Sequence, residues 1–123
     1  MEEVARKLSD RLLVYGSAIV KLSAPLSRTA AGRHMSSQLL RSGTSAGANY
    51  EEACGAHSRA DFIHKMQIVY KEIRESLYWL KLIQRSGPLP GENLAGLIEE
   101  TTALSNIVGK SLITAKSKIP KVP

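Results

Sequence analysis

At 123 residues, 43% of them hydrophobic and 23% charged, the chain fits one domain, residues 1–123, with core enough to fold without disulfide or metal. Cys54 is the only cysteine, so an intrachain disulfide is excluded. Seventeen Lys and Arg against 11 Asp and Glu give a net charge of +6. That excess suits plain solubility or an anionic partner, and the placement of the charges has to decide between them.

The opening Met1–Lys7 carries both signs of charge and lacks the apolar centre of a signal peptide, and no run is apolar enough for a membrane span. A cytoplasmic protein without a membrane role is expected. Val4, Leu8, Leu12, Tyr15, Ile19 and Leu22 then follow at spacings of three and four, one face of a helix that Pro25 should end. A second stripe runs Met35, Leu39, Ser42, Ala46, Asn49, Ala53, Ala56, shrinking from large to small. Its Gly and Ser argue against a helix and its period argues for one; small residues would let another helix approach closely.

Ser58 to Asp61 has the form of a capping box opening the third helix, with Phe62, Met66, Val69, Ile73, Leu77, Leu80 and Ile83 as its core face. Gly87-Pro88 should stop it, and Pro90 to Asn93 restart the chain. Leu94, Leu97, Thr101, Leu104, Val108 and Ala115 keep helical spacing in the fourth helix, and residues 118–123 should form a loose tail. No segment alternates with the period of a strand, and short connections make sequential helices antiparallel neighbours. The expected fold is all-α, an up-and-down antiparallel four-helix bundle. In the third helix, Leu77, Tyr78, Trp79, Leu80, Leu82 and Ile83 cover nearly the whole circumference. A helix apolar all round is buried all round, so Leu77, Tyr78, Trp79 and Ile83 are expected at a subunit interface.

Several patterns imitate chemistry. Gly43-Thr44-Ser45-Ala46-Gly47 matches a hydrolase elbow, but that elbow needs a strand before it. Gly109-Lys110-Ser111 ends like a phosphate-binding loop, yet Leu104 stands where its first glycine belongs. His57, Asp61 and His64 form a thin ligand set, and Asp61 is taken by the helix cap. Cys54 fits a small buried residue better than a reactive thiol. Glu72 and Glu75, one turn apart among Lys71, Arg74 and Arg41, suit an ion-pair network in which Arg41 locks the second helix to the third. No enzyme activity, metal or cofactor is expected.

Sorting charges by bundle end gives the positive reading. Lys21, Arg28, Arg33, Lys81 and Arg85 share one end, opposed locally by Glu92 alone. The other end has Lys110, Lys116, Lys118 and Lys121, offset by Glu2, Glu3, Asp10, Glu51, Glu52 and Asp61. Between Arg11 and Tyr50 there is no acidic residue. The five-residue patch is the candidate surface for RNA or DNA. With few aromatics and no base-reading motif, binding would be non-specific.

Three segments, Gln38 to Ala53, Ser58 to Lys65, and Lys71 to Glu75 with Tyr78-Trp79-Leu80, resemble the bacterial four-helix-bundle proteins encoded in intervening sequences of large-subunit ribosomal RNA genes. The accessory protein of diversity-generating retroelements is related to them. The resemblance implies a ring-shaped homopentamer without known enzymatic activity. For the retroelement relatives it further implies a basic surface for nucleic acid and a reverse transcriptase as partner. The alternative is a structural or protein-interaction module whose charge only keeps it soluble.

Overall fold

The computed structural model describes residues 2–87 and 94–118. Four antiparallel helices follow in chain order: α1 (Glu3–Leu26), α2 (Ala30–Cys54), α3 (Arg59–Ser86) and α4 (Ala95–Ser117). No strand occurs among the described residues. The expected all-α up-and-down bundle is what the chain forms. Glu92 and the expected restart at Pro90 to Asn93 lie outside the described residues, as does the tail beyond Lys118.

The ends of the helices follow local chemistry. Pro25 lies one residue inside the end of α1 rather than beyond it. A proline in a last turn removes one hydrogen bond, and the helix stops at Leu26, which is buried. Thr29 Oγ1 accepts the Gly32 N–H at 3.0 Å and caps α2. Ser58 Oγ accepts the Asp61 N–H at 3.0 Å and caps α3. Gly87, at φ 68°, takes the left-handed conformation and donates its N–H to the Ile83 carbonyl.

The core faces match the expected stripes with three corrections. Val4 is 76% exposed, and the buried face of α1 begins at Leu8. The buried face of α2 is wider than one stripe and includes Gly43 and Tyr50, since α2 packs on α1 as well as α3. A hairpin turn at Ala56 to Ser58 would set Ser42 opposite Ile73, whereas Ser42 meets Ser76, close to one turn further along α3. The small residues of α2 do admit a neighbour, and it is α1. A Cβ on Gly43 would stand 2.9 Å from Ile19 Cγ1, and one on Gly47 3.5 Å from Leu12 Cβ.

A polar layer crosses this core with one residue from each helix. Tyr15 hydroxyl and Thr101 Oγ1 lie 2.7 Å apart, joining α1 to α4, and Ser42 Oγ and Ser76 Oγ lie 2.8 Å apart, joining α2 to α3. Thr101 and Ser76 also donate to the carbonyls of Leu97 and Glu72, four residues back. Burial pushes the Tyr15 phenol above its ordinary range, against the opposing effect of the neighbouring Thr101 and Ser76 hydroxyls. No buried side-chain polar atom is left unpartnered among the described residues. Satisfied hydroxyls of this kind fix one axial register for all four helices, because sliding any helix would orphan its partner.

The turn between α1 and α2 rests on one glycine. A Cβ on Gly32 would lie 1.9 Å from the Leu26 carbonyl oxygen, a backbone atom that cannot move aside alone. Gly96, in the exposed first turn of α4, has nothing within 4 Å of that position. Gly32→Ala should therefore destabilise the fold by at least the ~1–3 kcal/mol of an overpacked site. Gly96→Ala should be neutral or stabilising by up to ~1 kcal/mol. Chemical denaturation monitored by helix content checks both, and equal midpoints for Gly32→Ala and wild type would contradict the packing described.

Candidate nucleic-acid interface

The patterns that imitate catalysis dissolve into helix. Ser45 sits inside α2, where its Oγ accepts from Asn49 Nδ2 at 2.9 Å. Gly109-Lys110-Ser111 lies within α4, with Gly109 against the Tyr70 ring. No three His, Cys, Asp or Glu side chains come together as metal ligands among the described residues. Cys54 is half-buried rather than buried, beside Tyr50, whose phenol is pushed up first by burial and then by that thiol. Convergent acid, base and nucleophile are not assembled anywhere among these residues.

The charged side chains are sorted by end. His34, at the start of α2, meets Trp79, near the end of α3, with ring centroids 5.8 Å apart, which places those two ends together. Lys21, Arg28, Arg33, Lys81 and Arg85 are all exposed at this end. None of the five takes part in an ion pair among the described residues. Arg33 makes only a long contact, 3.4 Å, to the Ser27 carbonyl. At the opposite end Arg6 and Lys7 pair with Glu3 and Lys65 pairs with Glu52 at 3.1 Å, while Arg59, Lys110, Lys116 and Lys118 are exposed without an ion pair among the described residues. Two helix N-termini and two C-termini meet at each end of an antiparallel bundle. Their macrodipoles cancel to first order, and the side chains set the sign of the field.

Between the ends, Arg41 clasps α2 to α3. Its Nη1 donates to Glu72 Oε2 at 3.0 Å and its Nη2 donates to Glu75. Trp79 Nε1 donates to the same Glu75 oxygen at 3.0 Å. The indole hydrogen bond first, and then the guanidinium, hold the Glu75 carboxyl below the usual carboxylate range. The expected partners Lys71 and Arg74 make no ion pair in this network, though the charge of Lys71 also helps hold the Glu75 carboxyl down. Both are exposed, without an ion pair among the described residues, and they are basic residues that charge sorting by end overlooked.

The residues expected at a subunit interface are split by the fold. Ile83 is 1% exposed in the chain's own core, Leu77 and Trp79 are half-buried, and Tyr78 alone stands open, 59% exposed. Open apolar surface gathers instead on α1, where Leu13, Val14 and Val20 are 74%, 71% and 50% exposed. Leu13 and Val20 flank a groove against α2 whose floor holds Gly16, Ser17, Gly47 and Ala48. Leu13 and Val20, seven residues apart, share one side of α1, and Val14 lies about 100° round the helix from Leu13. No helix among the described residues is long and apolar enough to cross a membrane.

Helical packing, matched caps and the Arg41 clasp define a small bundle protein whose distinctive surface is basic. The chain belongs to the 23S rRNA-intervening sequence protein family, whose model matches residues 13–110. A crystal structure from Bacteroides thetaiotaomicron, described as a protein with unknown function from the S23 ribosomal protein family, is similar at 36% identity and a TM-score of 0.81. The match covers 89% of this chain and 97% of that one. No curated protein matches the chain.

The clasp gives two expected outcomes. Arg41→Ala leaves Glu72 buried without its cation and should destabilise by more than the ~0–1 kcal/mol of an exposed pair, read as a shift in denaturation midpoint. Glu75 has a lowered pKa in the folded state, so the unfolded chain takes up its proton more readily. Its stabilising contribution is complete above the ordinary Glu value of about 4.3 and is lost as pH falls through the folded value. Denaturation from neutral to acid pH should show that loss, and Glu75→Gln should flatten it. An unchanged acid limb in Glu75→Gln would mean the clasp is not formed in solution.

Proposed function

We propose that this protein is a non-enzymatic, self-associating scaffold that holds RNA or DNA by its phosphates at the end bearing Lys21, Arg28, Arg33, Lys81 and Arg85. The observation that carries this reading is the contrast between ends. Lys21, Arg28, Arg33, Lys81 and Arg85 stand exposed and outside any ion pair among the described residues. The cations of the other end are mixed with Glu2, Glu3, Glu51, Glu52 and Asp61, and Arg6, Lys7 and Lys65 there are paired with Glu3 and Glu52. Solubility alone needs no such segregation. Phosphate contacts are sequence-independent, which suits a surface without base-reading motifs.

Self-association multiplies the field, because a closed ring repeats the basic patch around its axis. The family resemblance makes five copies the first expectation. Ring closure needs two different complementary patches on each copy. The α1 stripe of Leu13 and Val20 supplies one, and exposed Ile107 and Ile113 on α4 offer apolar surface on another helix. Light scattering after size exclusion should report a multimer for wild type and a monomer of unchanged helix content for Leu13→Glu with Val20→Glu. A wild-type monomer at micromolar concentration would refute the assembly.

Replacing Arg28, Arg33 and Arg85 together by Glu should abolish retention of RNA and DNA while helix content and oligomer size stay as in wild type. If wild type retains neither nucleic acid even at low salt, the alternative of a protein-interaction module with solubilising charge takes over.

A further inference from the structure

The outer face of α3 carries a pattern that the sorting by ends does not explain. Lys71, Arg74, Tyr78, Lys81 and Arg85 follow at spacings of three, four, three and four, which aligns them along one side of the helix. All five are exposed. The stripe runs about 21 Å at 1.5 Å per residue. None of its four cations is in an ion pair among the described residues. The acids of α3 are elsewhere: Glu72 and Glu75 are drawn to Arg41 on the α2 side, and Asp61 lies in the first turn, far from the stripe.

At the middle of the stripe stands Tyr78. Among the described residues it is the one Tyr, Trp or Phe that stands open to solvent. Its ring is not adrift. It meets the Trp79 ring edge to face, with centroids 5.2 Å apart and planes at 78°. Trp79 is itself tied to Glu75, and Glu75 to Arg41. The clasp that sets the α2–α3 register thus props an aromatic ring upright between two pairs of cations.

We infer that this face is a track for single-stranded nucleic acid, with the four cations on the phosphates and the Tyr78 ring as a stacking platform for an unpaired base. The inference rests on the proposed nucleic-acid role and narrows it to a substrate class. Cations alone would serve a duplex as well as a single strand. An exposed ring adds binding only where a base face is available, and in a duplex the bases are already stacked on each other. Packing against a second copy is the other use for an exposed tyrosine, but here it would force four unpaired cations to be desolvated beside it.

The test compares a dT homopolymer with a mixed-sequence duplex of equal length, by fluorescence anisotropy at one fixed salt concentration. The proteins are wild type, Tyr78→Ala, Tyr78→Phe and the Lys71→Glu/Arg74→Glu pair, each checked for helix content and oligomer size. Wild type should favour the single strand. Tyr78→Ala should weaken single-strand binding about ten-fold or more and duplex binding less than about two-fold, since base stacking on one ring is of that size. Tyr78→Phe should restore the single-strand preference, because stacking uses the ring and not the hydroxyl. The charge reversal should weaken both ligands and lower the salt sensitivity. If Tyr78→Ala leaves single-strand binding unchanged, or weakens both ligands equally, the stacking platform is wrong while the basic scaffold survives. If wild type binds neither ligand, both readings fall.

Discussion

Arg41 reaching across the α2–α3 seam to Glu72 and Glu75 is the interaction on which the other features of this bundle depend. It fixes the axial position of α3 against α2 and so lets Ser42 find Ser76 in the core. It anchors Trp79 through Glu75 and thereby the ring of Tyr78. It also partitions charge. By drawing two of the acids of α3 to the seam, it leaves Lys71, Arg74, Lys81 and Arg85 on the outer face outside any ion pair among the described residues. A contact that looks purely structural therefore sets the sign of a surface some distance around the helix.

Much of this was visible in the residue order. Periodicity gave four helices, and Thr101 and Tyr15 fell in core positions before their hydroxyls were known to meet. Ser58 and Gly87 announced a cap and a stop, because their chemistry acts within a few residues. Arg41 could be matched to the two glutamates because a hairpin of helices brings complementary numbers together. What stayed hidden is what depends on direction around a helix axis. Lys71 and Arg74 are sequence neighbours of Glu72 and Glu75 and seemed to belong with them. Adjacent helical residues point about 100° apart, so the acids face α2 while the cations face outward. The apolar end of α3 misled for a related reason. Its residues do surround the helix, but α2 and the core take up Trp79, Leu80, Leu82 and Ile83, leaving only Tyr78 in the open.

The surfaces proposed for assembly and for nucleic acid do not compete. Apolar exposure is concentrated on α1, at Leu13, Val14 and Val20, and basic exposure on the outer face of α3 and the end it shares with α2. The assembly proposed through α1 and α4 uses none of the basic residues of α3. The family description names no activity, and the functional reading rests on these surfaces.

The central claim is that binding is electrostatic and runs through phosphates. Its most direct measurement is the dependence of the binding constant on salt. Each phosphate neutralised lowers log K by about 0.7–0.9 per unit of log salt, so engagement of the five end cations predicts a slope of about −3.5 to −4.5. A slope near zero, with affinity undiminished at high salt, would contradict the account.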